Sequence, residues 1–232
     1  ETVIPPWSGS DHVQGYSSQV TRGDVGVLPL PESPAFTERL QEDLEYWTRR
    51  AEPGSWPAYR DQMLATYEAA YGKHTTYFAL QDRAYPTLAI VEFAVEDGWL
   101  YATLGMSNQH MPGVEAAHRD PESHFRSEVL TYSPQKQDWL PGLMGRVGVW
   151  PWISCAFLGH GHSFESGLNE LNSDFLFTAD FDLLGLPAPA PLTLDARYSV
   201  QWLLAVPVSQ EYFQAARIRG VDHVLDRLYA ER

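Results

Sequence analysis

The chain has 232 residues, enough to bury roughly 70% or more of its unfolded surface, so its core needs neither disulfides nor metal. Hydrophobic residues make up 44% and aromatics 13%, with eight tryptophans, a composition that excludes a disordered chain. Sixteen Lys and Arg stand against 30 Asp and Glu, and the formal net charge of -14 opposes approach to nucleic-acid phosphates and anionic lipid while suiting a basic protein partner.

Residues 1–33 are rich in Gly, Pro and Ser and predict an irregular arm. They lack the basic and apolar regions of a signal peptide, and no apolar stretch in the chain reaches the roughly 18 residues of a membrane span. A cytoplasmic location is therefore expected. The first residue is Glu1 and not Met, as expected of a chain trimmed from a longer one. Phe36, Leu40, Leu44 and Trp47 recur at helical spacing and predict a helix over 34–50, ending near Pro53-Gly54. Ser55 caps a second, carrying Pro57 in its first turn and Tyr59, Met63, Tyr67 and Ala70 on one face until Gly72.

The character then changes. Segments 75–80, 87–95 and 99–106 are rich in β-branched and aromatic residues, and Glu96-Asp97-Gly98 marks a tight turn between the last two. A polar loop is expected over 107–123, then a strand over 124–132, then a helix from Asp138 on Trp139, Leu143, Met144 and Val147 despite Gly142 and Gly145. Cys155, the only cysteine, cannot form an intramolecular disulfide, and in the run WISCAF it acts as a small hydrophobe of a reducing compartment. Strands near 173–178 and 198–206 flank the bend GLPAPAPL, and helices over 210–219 and 221–229, broken at Gly220, close the chain. The expected architecture is α+β: a mostly antiparallel sheet flanked by helices, formed by 34–232 behind the 1–33 arm. Trp99, Phe175, Phe177, Trp202 and Leu204 are expected in its core.

Chemistry has few candidates. His160 and His162 could share a cation on one face of a strand, with Glu165, His124 or His118 as a third ligand, or could simply hold a turn. Ser163 lacks the GxSxG elbow of a hydrolase, and no phosphate-binding glycine loop occurs. Gly105 marks a bulge or a close backbone approach, and Asp174, Asp180 and Asp182 are near one another only as three of many acids. No cofactor or metal is expected.

Read together, these pieces resemble the suppressor of fused domain over residues 88–228. Trp99-x-Tyr101 leading to Leu104-Gly105-Met106-Ser107 is similar to its aromatic strand and Gly-hydrophobic-Ser step. Residues 125–130, then Trp139-Leu140-Pro141 and Leu143-Met144, resemble its next strand and helix. Gly159-His160-Gly161-His162 resembles its glycine-histidine turn, 173–177 and Gly185-Leu186-Pro187 its apolar strand and exit, and 200–208 with Glu211-Tyr212 and Gly220 its last strand and helix. Residues 66–72 are similar to the helix that opens the domain.

The resemblance implies a non-catalytic protein-binding module. In animals the domain works with a second one to hold a transcription-factor peptide by strand addition; this chain ends soon after the first and looks like the short bacterial members, many of them immunity proteins that neutralise a toxin. A basic toxin domain is the expected partner. An adaptor without a toxin target, and a metal-dependent hydrolase using His160 and His162, are the alternatives. Tyr101 matches a family tyrosine near the partner peptide, and Asn108, Gln109 and His110 correspond to the loop beyond it, so these four are the expected partner-binding residues; Tyr101 could be exposed or in the core. The partner is expected to add to an edge of the hairpin that carries Tyr101.

Overall fold

The computed structural model describes residues 55–80, 87–117, 126–154, 156–167, 174–194 and 198–231. The expected arm 1–33, the helix over 34–50, Cys155, His118 and His124 lie outside them. Eight strands form the sheet: β1 (Thr76–Ala79), β2 (Ala89–Val95), β3 (Gly98–Leu104), β4 (Arg126–Ser133), β5 (Ser163–Phe164), β6 (Asp174–Thr178), β7 (Thr193–Leu194) and β8 (Tyr198–Val208). Their order is β1-β2-β3-β4-β8-β6-β5, with β7 also on β8. Every pairing is antiparallel except β4 with β8. That exception follows from connectivity, because β4 and β8 are joined by a long crossover instead of a tight turn.

Period-two alternation sends β-strand side chains to two separate cores. On one face Ala89, Val91, Phe93, Leu100, Leu104, Trp202, Leu204 and Val206 meet α1 (Ser55–Tyr71) and the closing helices α4 (Gln210–Arg219) and α5 (Val221–Ala230). On the other, Ile90, Tyr101, Val129, Phe175, Phe177, Leu203 and Ala205 meet α2 (Pro112–Ala117) and α3 (Leu140–Ser154). Helices from both ends of the described chain thus cover one face, and the helix from the middle covers the other.

Local rules account for most of the elements. Tyr59, Met63, Tyr67 and Tyr71 recur every four residues and are the buried side of α1. Ser209 caps α4 by accepting from Tyr212 N. Val95 faces Gly98 across the two-residue turn expected between β2 and β3. Helix α3 tolerates Gly148 because the sheet is close: a Cβ there would lie 2.5 Å from Leu88 Cδ2. It begins at Leu140 and runs through Pro151 to Ser154, well past the apolar positions that announced it.

Three expectations need correction. Residues 107–117 are not an open polar loop: a 3-10 turn spans Met106–Asn108, α2 follows, and Ser107, Gln109, His110 and Met111 are buried. Trp99 is half-buried at the sheet margin, whereas Phe175, Phe177, Trp202 and Leu204 are in the core. The hairpin carrying Tyr101 has no unpaired edge, since β1 takes the outer side of β2 and β4 the outer side of β3.

Candidate functional site

At the far end of β3 the chain turns sharply. Gly105 has φ +135, and a Cβ there would come within 2.2 Å of Thr87 O, so neither conformation nor space admits another residue. Beneath this turn lies Glu128 of β4, fully buried. Its Oε1 accepts from Tyr59 OH at 2.7 Å, Gly105 N at 2.9 Å, Ser107 N at 2.8 Å and Ser107 Oγ at 2.9 Å, and its Oε2 from Thr103 Oγ1 at 2.5 Å. A buried carboxylate demands such donors, and these neutral ones tie α1, β3 and the 3-10 turn to β4. Tyr67 lies alongside, donating to Thr103 O at 2.8 Å. Burial, then the Glu128 charge, push its phenol well above the ordinary value.

The next residues fold inward onto the first turns of the parallel strands. Arg126, 2% exposed, donates to Asn108 O at 3.1 Å and lies 3.6 Å over the Tyr198 ring. His110 meets the same ring edge-on at 5.5 Å. Gln109 is buried too, and its side-chain amide has no hydrogen-bond partner among the described residues. Of the expected loop contacts, only Asn108 is half-exposed.

Tyr101 is the central residue of β3, four positions before the glycine turn. It is buried against α3, and its hydroxyl accepts from Gln137 N at 2.9 Å. The structure therefore separates Tyr101 from the Asn108, Gln109 and His110 group. Beside Tyr101 across the strands are Glu92 and then Thr76. Glu92 Oε1 accepts from Lys136 Nζ at 2.8 Å, Thr75 Oγ1 at 2.9 Å and Thr76 Oγ1 at 2.9 Å, while buried Oε2 has no partner among the described residues. Lys136 Nζ also sits 4.6 Å from the Trp99 ring centroid. Burial alone would raise the Glu92 pKa, but these hydrogen bonds and the Lys136 charge hold it below the usual carboxylate range.

His160 and His162 form a turn and serve different partners. His160 Nδ1 accepts from Ala179 N at 3.3 Å and its Nε2 is 3.3 Å from Asp222, whereas His162 Nδ1 donates to Phe157 O at 3.1 Å. Asp174 accepts from Ser166 N, and Asp180 caps the 3-10 turn Phe181–Leu184. Among the described residues no three His, Cys, Asp or Glu side chains are grouped to hold a metal ion.

Sequence reasoning missed Glu92, Glu128, Arg126 and Lys136. A signal existed for Glu92, which interrupts the apolar strand AIVEFAV, where a charge is expensive unless its hydrogen bonds are supplied; Glu128 follows Arg126 and Ser127 in RSEVLTYS and gave no such signal.

No curated protein matches the chain by sequence. By structure it is similar to a protein described as a suppressor of fused homolog from Neisseria gonorrhoeae, at 11% identity and a TM-score of 0.58 over 75% of this chain and 90% of that one. It is also similar to a chain of the Sufu–Fu complex, at 14% identity and a TM-score of 0.53 over 72% of this chain and 82% of that one. The family model described as Suppressor of fused protein (SUFU) matches residues 85–232, and the chain belongs to that family.

Proposed function

We propose that this protein is a non-catalytic, cytoplasmic binding module that acts as an immunity protein, holding and neutralising a basic toxin domain. The observation that carries this is a suppressor of fused domain, a protein-binding fold, bearing a net charge of -14. The polar side chains that could suggest chemistry are occupied in holding the fold: Glu128 by the turn, Arg126 by Asn108 and Tyr198, and the two turn histidines by separate partners. Tyr101, Asn108, Gln109 and His110 remain the proposed partner-binding set, in two separate places: Asn108 at the surface over buried Gln109 and His110, and Tyr101 buried against α3 beside Glu92.

Co-purification with the product of the neighbouring gene tests this. A complex that blocks the neighbour's toxicity and weakens from low to physiological salt is the expected result, because exposed charges are screened over about 8 to 10 Å there. Absence of a complex, or stoichiometric zinc or manganese lost on replacing His160 and His162, overturns it, the second in favour of a metal-dependent hydrolase. A complex with a non-toxic neighbour would make it an adaptor.

A further inference from the structure

Strand β1 ends the sheet and, among the described residues, pairs only with β2. Leu80 N donates to Leu88 O at 3.1 Å, which makes 80 and 88, and by the two-residue period 78 and 90, hydrogen-bonded pairs. Tyr77 and Ala79 therefore turn their backbone N–H and C=O away from β2, and Ala79 is exposed. Such an edge can take an extended segment. Towards an incoming strand, Thr76 and Phe78 would occupy non-hydrogen-bonded positions, where facing side chains come closest.

The row inward from this edge is Thr76, Glu92 and Tyr101. Glu92, with its side chain 1% exposed, has one oxygen crowded by three donors and the other buried without any among the described residues. A lysine is a point charge, whereas a guanidinium fork serves both oxygens of a carboxylate at once. Lys136 is also a loose occupant, its side chain 46% exposed and its ammonium on the Trp99 ring. An incoming strand would lie about 10 Å from β2, two strand spacings, a gap that glutamate and arginine side chains reaching toward each other span.

We propose that the β1 edge binds an extended segment of a partner protein with an arginine opposite Thr76, whose guanidinium displaces Lys136 and takes both oxygens of Glu92 beside Trp99. The proposal rests on the protein-binding reading and names the partner chemistry at its Tyr101 end. The occupant is basic because the acceptor it meets is a buried carboxylate, already held ionised by a cation, on a chain of net charge -14.

The test uses a fluorescein-labelled heptapeptide of alternating threonine and valine with one central arginine, and the same peptide with citrulline, which keeps the shape and loses the charge. Fluorescence anisotropy should show the arginine peptide bound at least about tenfold tighter, since a charge-assisted bidentate pair replaces neutral contacts. Glu92→Gln should abolish that preference. Ala79→Pro, tolerated where an edge N–H faces outward, should lose both peptides. Lys136→Ala should tighten the arginine peptide several-fold, an outcome that a merely structural lysine would not produce. Equal binding of the two peptides, no binding of either, or weakening by Lys136→Ala overturns the proposal. So does a wild-type dimer dissolved by Ala79→Pro without peptide binding, which would give the edge to a second copy. If the neighbouring-gene product binds wild type and Ala79→Pro equally, the edge site fails while the protein-binding reading stands.

Discussion

Replacing Glu128 by Gln separates the two opposing effects of a buried charge. Desolvation favours the neutral amide; the donors aimed at Oε1 favour the carboxylate. The amide fits without steric cost. With its oxygen at the Oε1 position, its NH2 faces Thr103 Oγ1, which already accepts from Val129 N and can accept again once its own proton turns away. What changes is strength: the bonds from Tyr59 OH, Gly105 N, Ser107 N and Ser107 Oγ lose their charge assistance. At roughly 1 kcal/mol per bond, the loss is about 2 to 4 kcal/mol after the relief of desolvation. Set against a total stability of about 5 to 15 kcal/mol, the Gln variant should fold but unfold at clearly lower urea.

Glu128→Ala is harsher, because Thr103 Oγ1, Gly105 N and Ser107 N would keep buried donors without that acceptor, at about 1 to 3 kcal/mol each. That variant should not accumulate as folded protein. Urea unfolding followed by tryptophan fluorescence and far-ultraviolet circular dichroism measures both. A Gln variant as stable as wild type or more so would refute the reasoning, showing that desolvation outweighs the donor cage.

Other outcomes follow from the same packing. Trp202→Ala removes a ring packed 5.4 Å from Tyr67 and a bond from Nε1 to Ala190 O, and calorimetry should show a loss of about 3 to 5 kcal/mol. Gly105→Ala should cost more than about 3 kcal/mol, read from the urea midpoint, because a positive φ and contact with the Thr87 backbone are both violated. At alkaline pH, burial raises the phenol pKa of Tyr67 and Tyr71, so the native state holds protons that the unfolded chain releases; their stabilisation is complete below about pH 10 and declines as pH rises beyond it. Urea midpoints falling above pH 10, and falling less in Tyr67→Phe, check this. Glu92 has the opposite sign: its lowered pKa gives stability present above about pH 4.3 that declines as pH falls, less steeply in Glu92→Gln.

The elements most legible from sequence were those governed by short-range rules. Gly220 bounded α4, Gly98 closed the β2–β3 turn, and helical spacing marked α1. The exit of β3 was legible only in part. Gly105 announced a close backbone approach, but the polar residues after it read as solvated because nothing local records that Glu128, over twenty residues away, supplies acceptors for the backbone of that turn. Strand neighbours were less accessible still. The β2–β3 hairpin is a local pairing, whereas the parallel β4–β8 pairing and the placement of β1 outside β2 depend on contacts no window contains.

This difference between local and distant information explains how Tyr101 could be placed on a strand while its exposure stayed open. Alternation along GWLYATL puts Tyr101 on a definite face, but both faces of this sheet are covered, so alternation cannot say which positions reach solvent. Burial is decided by where a helix stops. Helix α3 covers Ile90 and Tyr101, while Trp99 and Lys136 lie at the sheet margin, half-buried and exposed. Glu92 shares that row; its charge is compatible with burial because Lys136 arrives from a loop that the hairpin sequence does not contain. The two-sided burial of the sheet therefore runs out at β1 and Trp99, near Tyr101 and not at it.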